Sequence, residues 1–250
     1  MTRTHDDRQA TYPPLDTLKP VAENVWIVDG PVIGFGPAGL KMPFPTRMSV
    51  VRLADGRLFI HSPTRLPSAL KAEIDALGSV AFVVAPNRIH YWWVPDWRQA
   101  YPDARVWLAP GIRAQAGGRI DFEAFDLGGE TGYPWDEALA TLAVAGDYMT
   151  EFVFFHRDSR TLILTDLIEN FEPTKLGPVL RLLTWLGGVR DPDGQMPRDM
   201  RLTYRAHRAA LKRAVERMIA WAPVRVILAH GRWYDRDGAA ELKRAFRWLL

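Results

Sequence analysis

Strand patterns alternate with helix patterns between residues 48 and 111, and this order limits the fold more than any other feature of the sequence. Two β-rich runs joined by Ala54-Asp55-Gly56 predict a hairpin at residues 48–63. The chain then continues as a helix at 66–78, a buried strand at 80–86, a helix at 96–102 and a strand at 104–111. Because strand–helix–strand connections join parallel strands, this order predicts an α/β protein whose sheet carries helices on its faces.

The rest of the sequence continues the mixture of strands and helices. Strands are predicted at 25–30, 138–147, 150–158, 161–167 and 224–231, and helices at 203–221 and 237–250. No internal repeat or low-complexity tract divides these elements. We therefore predict a single domain over residues 19–250, preceded by a loose polar arm at residues 1–18.

A glycine-rich stretch near the N-terminus has the spacing of a dinucleotide-binding fingerprint. Gly34, Gly36 and Gly39 stand in the order G-x-G-x-x-G. That fingerprint must open a helix, and three prolines between residues 37 and 45 crowd the place where the helix would begin. We predict a flexible loop there and no dinucleotide cofactor.

The composition excludes several classes of site and partner. The chain has no cysteine, which excludes disulfides, thiolate zinc sites and cysteine nucleophiles and fits a reducing, cytoplasmic location. The polar N-terminus has no apolar signal region, and the longest apolar stretch, residues 176–189, contains Arg181 and is too short to span a bilayer. A formal net charge of +3 is too small to indicate a nucleic-acid partner.

Imidazole and carboxylate groups follow several of the predicted strands. In chain order they are His61, His90, Asp147, Asp166, Glu169 and His230, with Asn87 beside His90. Ligands of open α/β sheets bind beyond the carboxyl ends of the strands, so these side chains outline a candidate site. Imidazoles together with carboxylates suit Zn²⁺ or Fe²⁺, and a bound ion lowers the pKa of water to about 7.

These segments resemble the metallo-β-lactamase-like hydrolase superfamily, and specifically a divergent branch of it, the domain of unknown function 4336. The resemblance extends over residues 20–235. It rests on the opening hairpin, on PNRIHYWW followed by AYPDARVWLAPG, on AGDYMTEFVFFHRDSRTLILTDLIEN and on VILAHG. It implies an αββα sandwich of mixed β-sheets flanked by helices, with a metal site along one edge.

The metal-binding motifs of that superfamily are only partly present. Its H-x-H-x-D-H loop and the histidine of its G-H-T-P-G-S segment correspond here to Asn87, Ile89, Tyr91, Trp92 and Asp147. Asp166 matches the bridging aspartate of T-G-D, and His230 matches the histidine of G-H-G. The resemblance therefore implies one zinc or iron ion, or none, rather than a binuclear zinc site.

Two functions follow from this reading. The first is a mononuclear metal-dependent hydrolase of a small ester, thioester or lactone, with His90, Asp166 and His230 as metal ligands. In that reading Asp147 and Asp166 are catalytic, and Asn87 and Glu151 are additional ligand-binding residues. The alternative is a non-catalytic descendant that binds a small ligand or a protein at the former active-site edge. A small-molecule ligand or substrate is the expected partner, nucleic acid is not expected, and the oligomeric state stays open.

Several other features have a structural interpretation. His61 is expected to make a structural hydrogen bond, and His156 and His207 are expected to face solvent. The tryptophans of YWWVPDW (91–97) are interpreted as packing residues or as the walls of an apolar pocket. Residues 176–189 are either a lid over the site or a buried helix. The basic stretch 198–217 predicts a solvated helix face, with an acidic partner or nucleic acid as its alternative.

Overall fold

The computed structural model describes residues 10–35 and 42–250 of the chain. Most of the predicted arm, residues 1–9, lies outside the described residues, as do Gly36 and Gly39 of the glycine-rich stretch. Residues 10–18 pack against the domain, because Ala10 is buried and Asp16 pairs with Arg65.

Seven strands form the first sheet in chain order. They are β1 (Lys19–Ala22), β2 (Val25–Phe35), β3 (Met42–Arg52), β4 (Leu58–His61), β5 (Val80–Ala85), β6 (Arg105–Leu108) and β7 (Phe125–Asp126). Strands β1 to β4 pair antiparallel, and β3 and β4 form the predicted hairpin with Ser49 opposite His61. Strands β4 to β7 pair parallel, as the strand–helix–strand order predicts.

Four strands form the second sheet, in the order β11-β10-β9-β8. They are β8 (Leu139–Ala145), β9 (Thr150–His156), β10 (Thr161–Ile163) and β11 (Arg225–Ile227). Only the β10–β11 pair is parallel among these described strands, because the chain leaves the sheet after β10 and returns through helices before β11.

Seven α-helices lie in the described part of the chain. They are α1 (Ser68–Leu77), α2 (Val94–Ala100), α3 (Ile112–Ala116), α4 (Pro178–Gly187), α5 (Arg198–Thr203), α6 (Arg208–Ala220) and α7 (Gly238–Ala245). Short 3₁₀ turns occupy Gly117–Arg119 and Pro173–Lys175. None of the described helices is long and apolar enough to cross a membrane.

The two sheets pack face to face around an aromatic core. Trp135 is edge-on to Phe59 of β4, with ring centroids 4.9 Å apart, and to Phe82 of β5, at 5.3 Å. Phe154 of β9 closes the same cluster, 5.1 Å from Phe59. These rings are less than 2 % exposed, so the space between the sheets is filled by aromatic side chains.

Helices cover the outer face of each sheet. Leu70 of α1 and Trp97 of α2 are buried against the first sheet. Val215 of α6 and Leu242 of α7 are buried against the second. The layers therefore run helix, sheet, sheet, helix, which is the predicted αββα sandwich.

The structure corrects two of the local predictions. The helix predicted over 203–221 is observed as α6 but begins five residues later, at Arg208; residues 204–207 separate it from α5, and Tyr204 there is 1 % exposed. His156, predicted to face solvent, is 2 % exposed. It lies at the end of a strand with neighbours on both sides, and its Nδ1 lies 2.7 Å from the Ser159 hydroxyl.

Candidate metal centre

His90, Asp166 and His230 converge at one edge of the sandwich. One ligand-type atom from each residue lies within 4.8 Å of the other two. Nε2 of His90 is 3.1 Å from Oδ2 of Asp166, and Nε2 of His230 is 3.2 Å from Oδ1 of the same carboxylate. Each side chain is less than a tenth exposed, so the carboxylate links two buried imidazoles.

His90 is positioned by the turn that follows β5. The side-chain oxygen of Asn87 accepts hydrogen bonds from the backbone N–H of Ile89 and of His90, at 2.9 and 3.2 Å. Its amide nitrogen donates to Asp166 Oδ2, at 2.5 Å. On the far side of the ring, His90 Nδ1 lies 2.6 Å from the Ser62 hydroxyl. Asn87, expected as an additional ligand-binding residue, thus lies at the site and fixes both the loop and the carboxylate.

Asp166 is held by a buried carboxylate behind it. The two oxygens of Glu151 accept the backbone N–H groups of Thr165, Asp166 and Leu167, at 2.8, 2.8 and 3.1 Å. Burial and the charge of Asp166 raise the pKa of Glu151 to about 7, although the N–H groups oppose that rise. Because both oxygens are engaged, Glu151 supports the loop from behind.

His230 follows β11 at a position that only glycine can continue. Gly231 has φ +87°, and a Cβ there would lie 2.1 Å from a backbone oxygen of Asn170. His230 Nδ1 lies 2.7 Å from the carbonyl oxygen of Pro45, and the ring packs edge-on against Phe44. Arg47 bonds to the Gly231 carbonyl oxygen at 2.8 Å, so β3 fixes the loop on both sides of the histidine.

The hydrogen bonds leave a charge pattern that suits a cation. A carbonyl oxygen can only accept, so Nδ1 of His230 carries a proton and the neutral ring presents a lone pair at Nε2. That lone pair faces an oxygen of Asp166, so a proton or a metal ion is needed between them. Burial lowers the pKa of His230, but Asp166 more than offsets it and the pKa is raised.

The neighbours of Asp166 favour its ionised form. Its burial would raise the pKa of the carboxyl group, but the two facing histidines hold that pKa well below its usual value.

Glu169 lies nearby in the chain and is 8 % exposed, and burial raises its pKa to about 8. His61 is also buried, and burial lowers its pKa to about 3; its Nε2 has no hydrogen-bond partner within the described ranges.

A narrow cleft of about 20 Å³, enough for one water-sized molecule, borders the cluster. Its walls are Ile33, Thr46, Ser62, Pro63, Ile89, Trp92 and Trp93, together with His90 and His230. Two of the tryptophans thus line a pocket, whereas Trp97 is a core residue whose indole donates to the Thr64 carbonyl. The Trp92 indole N–H is buried and finds no acceptor among the residues described.

Asp147, expected to be catalytic, is not part of this cluster. Its side chain is 57 % exposed and pairs with Nε2 of His207 at 2.9 Å. Its backbone N–H bonds to Thr203 O, which holds the loop between β8 and β9 against the end of α5. The prediction aligned Asp147 with a superfamily histidine, but the loop directs its side chain to the surface.

Two residues of the site were not predicted. Ser62 directly follows β4, and the rule that placed His61 at a strand end could have found it as well. Arg47 lies within β3 and is 4 % exposed, and no sequence signal distinguishes it from other arginines.

Comparison with known proteins supports the fold and the branch. Residues 23–114 match the family described as Domain of unknown function (DUF4336). No curated protein sequence matches the chain.

Solved metallo-β-lactamases share the architecture along nearly the whole chain. The DIM-1 enzyme exposed to ceftazidime is 14% identical, with a TM-score of 0.61 over 92% of this chain and 96% of its own. The enzyme from Hirschia baltica is 16% identical, with a TM-score of 0.56 over 90% and 94%. FIM-1 from Pseudomonas aeruginosa, in a mono-zinc form, is 13% identical, with a TM-score of 0.57 over 94% and 96%. Together with the sandwich architecture, these matches show that the chain has the metallo-β-lactamase fold and that its residues 23–114 match DUF4336.

Proposed function

We propose that the protein is a mononuclear metal-dependent hydrolase acting on a small ester, thioester or lactone. His90, Asp166 and His230 would hold one zinc or iron ion. The observation that carries the proposal is the convergence of their three ligand-type atoms within 4.8 Å in a buried cluster.

The donor set fits such an ion. Two imidazoles and a carboxylate are ligands that Zn²⁺ and Fe²⁺ accept, and three protein ligands leave a position open for catalysis. The proton on Nδ1 of His230 is fixed by Pro45, which directs the Nε2 lone pair towards the cluster, as in other metal-ligating histidines. Bound there, the ion would supply Lewis-acid polarisation and an activated water.

The chain's own residues would position the reactants. Asn87 and Glu151 hold Asp166 in place, and Ser62 orients the His90 ring. Ile89 and Trp92 line the narrow cleft next to the cluster and would present apolar walls to the uncharged acyl part of an ester, thioester or lactone. Asp147 has no part in this arrangement.

A hydrolysis assay tests the proposal. Protein stripped with a chelator and then loaded with zinc or with ferrous iron is compared on panels of short-chain esters, thioesters and lactones. Activity should require the metal and should fall to background in Asp166→Asn. The matched variant Asp147→Asn removes an exposed carboxylate and should retain full activity. Absence of hydrolysis in every metal-loaded sample would contradict the proposal.

A second function is favoured by one contact. Asn87 donates to Asp166 at 2.5 Å, in a loop where the superfamily carries metal-binding histidines, so the polar network can be complete with a proton in place of a metal. In that case the cleft binds a small molecule without transforming it. Ligand-induced stabilisation of the metal-free protein, without hydrolysis, would identify this function.

The absence of cysteine supports a cytoplasmic location for either function. Fractionation of cells that express the chain tests that part of the proposal, because recovery outside the cytoplasm would contradict it.

A further inference from the structure

Helix α4 presents an apolar face to solvent. Val179, Leu182, Trp185 and Leu186 are 70, 55, 59 and 49 % exposed, and Leu202 of the neighbouring α5 is 61 % exposed. These five residues, called the α4 surface below, make up more than half of the nine large apolar side chains that are exposed in the described ranges. A cluster of this kind marks a binding surface, because isolated exposed apolar residues are normally scattered.

The α4 surface is held in place by the opposite side of the helix. Leu180 packs against a small cluster that includes Phe171, Leu176 and Val189. Helix α4 ends at Gly187, and the next residue, Gly188, has a φ of +73° that lets its backbone N–H bond back to the last turn. The exposed face therefore belongs to a formed helix seated on the domain.

Arginines lie on α4 and on the neighbouring helix α5, and shortly after each of these helices. Arg198 of α5 donates to the carbonyl oxygen of Leu186 at 3.1 Å, which brings α5 against the C-terminal end of α4. Arg181 lies on α4 and Arg190 follows it, Arg198 and Arg201 lie on α5 and Arg205 follows it, and none of the five forms an ion pair with a carboxylate in the described part of the chain.

Neighbouring positive charges affect the pKa of Arg201. Burial, with the charges of Arg198 and Arg247, lowers the pKa of Arg201. By contrast, Arg217 and Arg244 on helices α6 and α7 are paired with glutamates. Of the carboxylates between α4 and the end of α5, Asp191 and Asp193 pair with Arg232, Arg244 and Arg247, which leaves Asp199 for the arginines of this region.

This combination selects one kind of partner. A helix with an apolar face containing tryptophan and with arginines beside it is suited to the interface of a bilayer, where the arginines meet anionic headgroups. A symmetric pair of these surfaces would bring the two arginine groups together, which disfavours a second copy of the chain. We propose that the α4 surface docks onto the surface of a membrane that contains anionic lipid.

The buried side of helix α4 is linked to the candidate metal centre through a chain of apolar contacts. Leu180 contacts the cluster that Phe44 joins, and Phe44 packs against the His230 ring. The proposal does not depend on the protein being a hydrolase.

Vesicle co-sedimentation of the full chain tests the inference. Vesicles of phosphatidylcholine alone are compared with vesicles that also contain phosphatidylglycerol, at low and high salt. The wild-type protein should sediment with the anionic vesicles at low salt. Its affinity for vesicles of phosphatidylcholine alone, and its affinity for anionic vesicles at high salt, should each be lower by about tenfold or more.

Variants separate the apolar and charged contributions. Leu182→Ser/Trp185→Ser and Arg190→Glu/Arg205→Glu should each reduce the affinity for anionic vesicles by about tenfold or more. Val224→Ser and Arg236→Glu change exposed residues elsewhere and should bind as the wild type does. Circular dichroism checks that each variant is folded.

Three results would overturn the inference. The first is that the protein sediments with no vesicle, and the second is that it sediments equally with neutral and anionic vesicles. The third is that the two control variants lose as much affinity for anionic vesicles as the α4 and arginine variants do. A dimer in solution that Leu182→Ser/Trp185→Ser dissociates, without vesicle binding, would assign the surface to a second copy instead.

Discussion

Arg47→Met should lower the free energy of unfolding by about 4 kcal/mol. The guanidinium of Arg47 is buried and bonds to Asp29 through Nε at 2.8 Å and Nη2 at 2.7 Å. Its Nη1 donates to the carbonyl oxygens of Leu228 and Gly231 at 2.5 and 2.8 Å. Methionine keeps the aliphatic packing but leaves a buried carboxylate and two carbonyl oxygens without their donor.

The magnitude follows from these lost partners. Removing one member of a buried ion pair costs about 3–5 kcal/mol, because the other charge stays buried and unpaired. Lys19 still contacts Asp29 at 2.7 Å, which keeps the loss within that range despite the two additional carbonyl groups. In a chain of this length, a loss of about 4 kcal/mol lowers the melting temperature by about 8–16 °C.

Urea denaturation followed by circular dichroism measures the loss. The control Arg57→Met removes an ion pair with Asp55 in which both side chains are more than two-fifths exposed, and its loss should be much smaller because solvent screens such a pair. The double variant Asp29→Leu/Arg47→Met should be less destabilised than the sum of its single changes. Equal losses in Arg47→Met and Arg57→Met would refute the assignment of Arg47 as the link between β3 and the His230 loop.

Three further predictions concern backbone, burial and the metal site. In urea denaturation, Gly231→Ala should lower the free energy of unfolding by more than twice the loss of about 1 kcal/mol expected for Gly56→Ala. Both glycines have positive φ, but only at Gly231 would the added Cβ lie 2.1 Å from a backbone oxygen. Equal losses would contradict this. Burial lowers the pKa of His156, so the unfolded chain takes up the proton first and stability falls as the pH drops below about 6.5. His156→Gln should flatten that fall and the exposed control His207→Gln should not, and an unchanged pH profile in His156→Gln would refute the assignment. Asn87→Ala should weaken zinc binding by about 10–100-fold in calorimetry, since it removes the support of a metal-ligating carboxylate, and unchanged affinity would exclude that role.

Local patterns predicted the parts of the fold that depend on near neighbours. The hairpin of β3 and β4 and the parallel strands β5 and β6 follow from turn residues and apolar runs within about a dozen residues. The break between α5 and α6 could not be found this way. Tyr204 carries no helix-stop signal, and its burial depends on packing against Gly146 in another segment.

The site was predicted to the extent that strand ends determine it. Since β5, β10 and β11 end at one edge, His90, Asp166 and His230 meet there. Asp147 follows a strand as well, but its loop turns outward. Arg47 contacts a carbonyl 181 residues away, and no local pattern encodes such a partner.

The charge beside α4 was also hidden in the sequence. Residues 176–189 contain one arginine, which argues against a charged surface. In the folded chain, α5 adds Arg198 and Arg201 to the same region. The surface is a product of tertiary structure.

Metal content tests the central claim most directly. Protein purified without chelators and without nickel affinity resin is analysed by mass spectrometry for zinc and iron. We expect one ion per chain, lost in Asp166→Ala/His230→Ala and retained in Asp147→Ala. A wild-type protein that contains no metal, and whose melting temperature does not rise when zinc or ferrous iron is added, would contradict a metal centre at this cluster.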